Sequence, residues 1–168
     1  DNTSFNTLTS DERVKHILDK ADYYSHTGGR VKGLIFCSRT DEARVLSDKM
    51  NDRGLRTLAL SANNTPDERE AAVERLEKDT GDDCLDYILT VNIFNEGVDI
   101  PAINQILMLR PTESAIVFVQ QLGRGLRKAN NKDYVVIIDF IGNYTNNFLI
   151  PIAFSGDRSC NKDNARRY

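Results

Sequence analysis

Residues 33–37 read Gly33-Leu34-Ile35-Phe36-Cys37, a short run of apolar side chains that opens with glycine. A continuous run of this kind is typical of a β-strand that is buried on both faces. Similar segments predict four more strands, at residues 57–60, 86–91, 104–109 and 134–140. Amphipathic segments predict helices at about residues 10–27, 40–53, 65–78 and 113–123. Strands that alternate with helices require crossover connections, so the sequence predicts a three-layer α/β/α domain with a mainly parallel sheet.

Capping signals predict where three of these helices begin. The order Thr9-Ser10-Asp11-Glu12 is that of a capping box, in which a hydroxyl and a glutamate satisfy free backbone N–H groups. Thr40 or Asp41 is expected to cap the next helix, and Gly54 is placed to end it in a left-handed cap. Thr65-Pro66-Asp67-Glu68 adds a first-turn proline to the capping-box pattern, so it is the strongest helix start in the sequence.

The composition excludes several functional classes. In 168 residues, three cysteines and two histidines are too few and too scattered for a disulfide framework or a metal cluster, and they indicate a reducing, cytoplasmic setting. No apolar run approaches the length of a membrane span, and the N-terminus lacks a signal-peptide pattern. The net charge of −3 argues against a protein that coats polyanions, so any nucleic-acid contact must come from local basic groups.

Polar residues follow three of the predicted strands at the point where each strand ends. Ser38 and Arg39 follow the first strand, residues 92–101 follow the third, and Arg110 follows the fourth. In a parallel sheet, ligands bind outside the carboxyl ends of the strands. We therefore expect the functional site at this edge of the sheet.

One candidate segment at this edge is Asn95-Glu96-Gly97-Val98-Asp99-Ile100-Pro101. Gly97 permits a tight backbone turn, and the carboxylate of Asp99 could accept a hydrogen bond from a ribose hydroxyl. An ordinary strand-exit turn, in which Asp99 bonds its own backbone, explains the same residues equally well.

A second candidate segment is Gln120-Gln121-Leu122-Gly123-Arg124-Gly125-Leu126-Arg127-Lys128. Arg124 and Arg127 lie three residues apart in a helix-like segment, so their guanidinium groups can reach the same anion. Arginine binds phosphate bidentately, and the neighbouring glycines let the backbone approach, which suits a triphosphate or a phosphodiester. Taken alone, the segment is explained better by a solvated helix end whose arginines complement the helix dipole.

Taken in order, three segments of the chain resemble motifs IV, V and VI of the superfamily 2 helicases. They are Ile35-Phe36-Cys37-Ser38-Arg39, residues 95–101 and residues 120–127, and the resemblance covers about residues 30–142. Gln121 stands where the last motif usually has arginine. Within the superfamily the segments are most similar to the DNA-directed branch, which includes restriction-enzyme translocases and bacterial DEAD/DEAH-type helicases.

This resemblance implies the second of two RecA-like domains, a P-loop NTPase-like fold in which ATP lies between the domains. Arg124 and Arg127 would then be the arginine fingers that stabilise charge on the transferring phosphoryl group. Gly97 and Asp99 would approach the ribose or the adjoining interdomain contact, and Gln120 would couple the nucleotide state to domain closure.

The resemblance also places four residues toward the backbone of a nucleic acid: Ser38, Arg39, Thr90 and Asn92. Phosphates favour arginine and hydroxyl donors, so binding is expected to be independent of base sequence, with DNA favoured over RNA. Asn92 stands where the family often has aspartate.

Half of an ATPase site is absent from the sequence. The chain has no Gly-x-x-x-x-Gly-Lys-Ser/Thr phosphate loop and no carboxylate pair after an apolar strand to hold magnesium. ATP with Mg²⁺ is therefore expected to be held mainly by an N-terminal RecA-like domain, and this chain alone is expected not to hydrolyse ATP. Two other classes remain open, a non-catalytic nucleic-acid or protein-binding module on the same fold and a small-ligand domain of the receiver or flavodoxin type.

Three regions are predicted along the chain. Residues 1–29 form a helical lead-in, residues 30–143 form the helicase C-terminal RecA-like domain, and residues 144–168 begin a following region. The chain begins at Asp1 without methionine and ends at Tyr168 without a clear closing element, so we expect it to be a piece of a longer protein.

Overall fold

The computed structural model describes residues 5–94, 100–110 and 134–140. In chain order, the helices and strands of these residues are α1 (Phe5–Leu8), α2 (Asp11–Tyr24), β1 (Gly33–Phe36), α3 (Thr40–Asn51), β2 (Thr57–Leu60), α4 (Pro66–Glu77), β3 (Tyr87–Thr90), β4 (Gln105–Met108) and β5 (Val136–Asp139). All five predicted strands are present. The helix predicted at residues 113–123 lies outside the described residues.

The strands form one parallel sheet in the order β2-β3-β1-β4-β5. β1 is the central strand, and its last residue, Phe36, pairs with Thr90 of β3 and with Met108 of β4. The carboxyl ends of three neighbouring strands therefore lie level with one another. This arrangement confirms the predicted parallel sheet.

Both faces of the sheet are covered by helices, which confirms the three-layer α/β/α prediction. Side chains alternate along β1, so Leu34 and Phe36 lie in one core cluster while Ile35 and Cys37 lie in the other. The first cluster includes apolar residues of α4, and the second includes those of α2 and α3. All four residues of β1 are buried, as its unbroken apolar run predicts.

The start of α4 follows the predicted capping box. The hydroxyl of Thr65 accepts a hydrogen bond from the backbone N–H of Glu68 at 3.2 Å, and the carboxylate of Glu68 accepts one from the N–H of Thr65 at 2.8 Å. Pro66 occupies the first helical position. The sequence signal is sufficient here because all the partners lie within four residues.

The first long helix starts close to residue 10, as predicted, but its predicted capping box and its predicted end are corrected. The cap of α2 is Ser10, whose hydroxyl accepts from the N–H of Arg13 at 3.2 Å, whereas the hydroxyl of Thr9 donates to the carbonyl of Phe5. The helix ends at Tyr24 rather than near residue 27, because Ser25 adopts a positive φ of 57°. These contacts use partners that the capping-box pattern does not include.

The start of α3 also differs from the prediction. Arg39 occupies the N-cap position without a side-chain capping bond, and Thr40 is already helical. Asp41 instead accepts a hydrogen bond from the next N–H, that of Glu42, at 3.0 Å. After the helix, Gly54 adopts the left-handed φ of 89° that the sequence predicts.

Two further features of the described residues bear on the sequence predictions. None of the helices in these ranges is long and apolar enough to cross a membrane. Cys37 and Cys84 are buried and not joined in a disulfide.

Candidate nucleic-acid interface at the carboxyl edge of the sheet

The sheet brings the residues after β1, β3 and β4 to one edge. Beyond the strands, the N–H of Cys37 still donates to the carbonyl of Thr90 at 2.9 Å, and the N–H of Leu109 donates to that of Phe36 at 3.0 Å. These bonds keep the three segments in register as they leave the sheet. Ser38 and Arg39, Asn92, and Arg110 emerge there from neighbouring strands.

The side chain of Arg39 is about half exposed, at 48%. Its Nε donates to Oδ1 of Asp41 at 3.2 Å and its Nη2 donates to Oδ2 at 2.9 Å, a bidentate pair. The guanidinium carbon also lies 5.3 Å from the ring centroid of Phe5 in α1, within cation–π range. The hydrogen bonds with Asp41 raise the pKa of Arg39, and in return they lower the pKa of Asp41.

Ser38 is held by a buried carboxylate in the first turn of α3. Oε2 of Glu42 accepts both the backbone N–H of Ser38, at 2.9 Å, and its hydroxyl in a short hydrogen bond. Glu42 is only 1% exposed, and its Oε1 has no hydrogen-bond partner within the described part of the chain. Both donors of Ser38 are therefore occupied inside the protein.

The sequence analysis did not identify Glu42 as a functional residue. A glutamate at the third position of the predicted helix was the available signal, because a carboxylate there can reach back to backbone N–H groups just before the helix. Its burial depends on the packing of α3 against the sheet, which the local sequence does not specify.

Thr90 and Asn92, both predicted to lie toward a nucleic acid, differ in exposure. Thr90 is fully buried, and its hydroxyl has no hydrogen-bond partner among the described residues. A direct contact of its side chain with a ligand is not available in this conformation. Asn92 is exposed and adopts a positive φ of 53°, a backbone conformation that asparagine tolerates better than most residues.

Cys37, directly after β1, is fully buried in the core cluster that contains residues of α2 and α3. Burial raises the pKa of the Cys37 thiol well above its ordinary value, and the nearby carboxylate of Glu42 raises it further. The thiol is therefore neutral and acts as a small apolar side chain.

The predicted nucleotide-binding residues lie outside the described residues: Gly97, Asp99, Gln120, Arg124 and Arg127. Their roles remain predictions from the sequence. Within the described ranges, no group of three or more His, Cys, Asp or Glu side chains could hold a metal ion.

Comparison with known proteins relates the chain to one family. The model of the helicase conserved C-terminal domain matches residues 11–129. IRC3 of Saccharomyces cerevisiae, which is named as an ATP-dependent helicase, is 35% identical over 138 residues that cover 81% of this chain. The match covers 19% of IRC3, so the chain corresponds to about a fifth of that protein's length.

Solved structures share the fold at low sequence identity. The ATP-dependent Type ISP restriction-modification enzyme LlaBIII, solved bound to DNA, aligns with a TM-score of 0.58 at 16% identity, over 90% of this chain and 12% of the enzyme. Domain 2 of the DEAD-box helicase Mss116p, solved bound to an RNA duplex, aligns with a TM-score of 0.52 at 18% identity, over 81% of this chain and 51% of that one. At these identities the similarity is one of fold.

Proposed function

The chain belongs to the helicase conserved C-terminal domain family and has its RecA-like fold, and from this premise we propose that it is the second motor domain of an ATP-dependent DNA helicase or translocase. In this proposal the domain closes on and opens from an N-terminal RecA-like domain of the same protein during each ATP cycle. The proposed domain spans residues 30–143, preceded by a lead-in and followed by a further region. The proposed location of the whole protein is the cytoplasm.

The proposed nucleotide site is shared between the two domains. Arg124 and Arg127 supply the arginine fingers, Gly97 and Asp99 approach the ribose, and Gln120 couples the nucleotide state to closure. Because the sequence has no phosphate loop, the N-terminal domain holds most of the ATP and its Mg²⁺. Bound Mg²⁺ would neutralise charge on the phosphates, while the two arginines stabilise the charge that develops on the transferred phosphoryl group.

The proposed nucleic-acid contact lies at the carboxyl edge of the sheet. Arg39 is exposed there and offers a permanent positive charge, with Ser38 directly before it after β1 and Asn92 after the neighbouring strand β3. Thr90 supports this edge from within, since its side chain is buried. The bond of Ser38 to Glu42 fixes the backbone that leads into Arg39. Contacts of arginine and polar side chains with the nucleic-acid backbone bind phosphates and do not distinguish between bases.

The level carboxyl ends of β3, β1 and β4 are the main observation behind this assignment. They bring the residues that follow β1 and β3, namely Ser38, Arg39 and Asn92, to a single edge although they are far apart in the sequence. Ligands of parallel α/β sheets bind at such an edge. The bound DNA of LlaBIII and the bound RNA of Mss116p are each compatible with a nucleic-acid partner, and we propose DNA because of the resemblance to the DNA-directed branch.

The test of the nucleotide site uses the full-length protein that contains this domain. We expect Arg124→Ala and Arg127→Ala each to lower the DNA-stimulated kcat for ATP hydrolysis by about 100-fold or more. Lys128→Ala removes a neighbouring positive charge from the same segment and should have little effect. Unchanged turnover in both arginine variants would favour a non-catalytic binding module instead. The 168-residue chain alone should show no ATP hydrolysis in a steady-state assay.

The test of the nucleic-acid site is an equilibrium binding measurement with a fluorescent oligonucleotide. Arg39→Ala should weaken binding of single-stranded DNA and reduce the slope of log Kd against log salt by about 0.7, the value for one phosphate contact on a single strand. RNA of the same length, used as a competitor, determines the preference between the two nucleic acids. An unchanged affinity and salt slope would remove Arg39 from the proposed interface.

A further inference from the structure

The exposed pair of Arg39 and Asp41 resembles an arginine bound to a phosphate group. Both oxygens of the Asp41 carboxylate accept from the guanidinium, at 3.2 and 2.9 Å, in the two-pronged geometry that arginine also forms with phosphate. The carboxylate therefore occupies the donors that a nucleic-acid backbone would need. No other group in the described part of the chain is hydrogen-bonded to this guanidinium.

The pair can exchange partners because it is open to solvent. The side chains of Arg39 and Asp41 are 48% and 54% exposed. Ion pairs in this setting are screened by water and salt, so they are weak and form and break readily. The ring of Phe5 lies 5.3 Å from the guanidinium carbon and favours its present position whichever anion it binds.

Asp41 would keep a partner after losing Arg39. Its Oδ1 also accepts from the backbone N–H of Glu42 at 3.0 Å, in the first turn of α3, where the helix dipole favours negative charge. Release of the guanidinium therefore does not leave a bare carboxylate. Glu42 differs in this respect, because it is buried and its bonds to Ser38 cannot be reached by a phosphate.

We propose that Asp41 competes with nucleic-acid phosphate for the guanidinium of Arg39 and thereby lowers the affinity of this edge for nucleic acid. The inference rests on the proposed function, which assigns Arg39 to the phosphate backbone. A phosphate that binds Arg39 displaces the Asp41 carboxylate. When the phosphate dissociates, the ion pair between Arg39 and Asp41 forms again. This exchange makes the phosphate easier to release. A domain that moves along a strand must release each phosphate before it binds the next.

The experiment measures binding of a fluorescent single-stranded oligo-dT to the full-length protein without nucleotide, at about 0.1 M salt, where charges more than about 10 Å apart are largely screened. Asp41→Asn keeps an oxygen for the N–H of Glu42 and removes the charge. We expect it to tighten binding by about 2- to 5-fold, the range for an exposed ion pair. Asp48→Asn is the matched control, because Asp48 is exposed on the same helix about 10 Å further along.

The same two substitutions are then made in an Arg39→Ala background. If Asp41 acts through Arg39, Asp41→Asn has no more effect there than Asp48→Asn. The proposal is overturned if Asp41→Asn tightens binding no more than Asp48→Asn in the wild type, or if its effect is the same with and without Arg39. Arg39→Ala alone tests the proposed function separately, because it weakens binding whether or not Asp41 competes.

Discussion

The ring of Tyr87 lies directly against the backbone of Gly33, its paired residue across the β1–β3 ladder. A Cβ atom at position 33 would stand 2.2 Å from Cδ1 and 2.3 Å from Cε1 of this ring. The ring cannot move aside easily, because Tyr87 is buried and its hydroxyl donates to Oε1 of Gln105 at 2.6 Å. A side chain at the first position of the central strand therefore fits only if the ring or the backbone shifts.

Gly33→Ala should lower the free energy of unfolding by about 1–3 kcal/mol, since an added methyl group overpacks a buried site. Urea unfolding followed by circular dichroism measures the change. Gly29→Ala is the control, because a Cβ atom at Gly29 meets nothing within 4 Å. Equal effects of the two substitutions would contradict the packing explanation.

Tyr87→Phe tests the buried hydrogen bond to Gln105. The substitution removes the hydroxyl that donates to the Gln105 oxygen. It should lower the free energy of unfolding by about 1–2 kcal/mol at neutral pH. Burial raises the pKa of Tyr87 above its ordinary value of 10.0, so the hydroxyl stays protonated in the folded chain after it ionises in the unfolded chain.

This pKa difference predicts the alkaline behaviour. The contribution of Tyr87 to stability is complete below pH 10 and declines as the pH rises above it, so Tyr87→Phe should lose less stability between pH 9 and 11 than the wild type. Urea unfolding over this range gives the comparison, with Tyr23→Phe as the control, since Tyr23 is 78% exposed. Parallel curves for all three proteins would exclude the buried hydroxyl as the cause.

Arg30 joins the end of α4 to the loop that leads into β3. Its guanidinium donates to the carbonyl oxygens of Leu76 and Lys78, both at 2.8 Å, and of Leu85 at 2.7 Å. The side chain is only 17% exposed. With the carbonyl of Val31, at 3.0 Å, four backbone acceptors therefore depend on one side chain.

Arg30→Met should lower the free energy of unfolding by about 2–4 kcal/mol, because it leaves these carbonyl groups without their charged donor. Arg30→Lys should recover only part of the loss, since an ammonium group cannot reproduce the fork of the guanidinium. Arg44→Met, at an exposed position of α3, controls for the loss of a positive charge. An equally large loss of stability in Arg44→Met would show that the lost positive charge, and not the lost hydrogen bonds to the carbonyl groups, is the cause.

Glu42 is predicted to stabilise the turn between β1 and α3. Glu42→Leu leaves the N–H and hydroxyl of Ser38 without their acceptor. It should lower the free energy of unfolding by about 2–4 kcal/mol. Glu42→Gln retains an acceptor oxygen, so it should lower the free energy of unfolding by less. Thermal or urea unfolding measures both changes. In a Ser38→Ala background, the difference between the leucine and glutamine variants should shrink, because one of the two donors is gone.

Several features of the fold are predictable from local sequence because their partners are close along the chain. The unbroken apolar run of β1 predicts a strand buried on both faces, and the pattern Thr65-Pro66-Asp67-Glu68 predicts the start of α4. The alternation of such segments predicts a parallel sheet covered by helices. The motif order, from residues 35–39 to residues 120–127, indicates the family, and the match to the helicase C-terminal domain confirms it.

Other features depend on residues that meet only in the folded chain. The positive φ of Ser25 at the end of α2 is stabilised by Gln105, whose amide donates to the carbonyls of Ala21 and Ser25 at 2.8 and 2.7 Å across about eighty residues of sequence. No local pattern near Ser25 contains that information, so the sequence predicts a helix that is too long.

At the candidate site, the sequence alone determined that arginine and polar residues follow the strands, because strand ends are visible in the pattern of apolar residues. Only the tertiary structure decided how they are used. The packing of α3 against the sheet buries Glu42 on Ser38, and the turn that makes Arg39 the N-cap leaves its guanidinium facing Asp41. The partners are close in sequence, but the direction of each side chain depends on distant segments: the packing of α3 against the sheet directs Glu42, and the ring of Phe5 lies beside the guanidinium of Arg39.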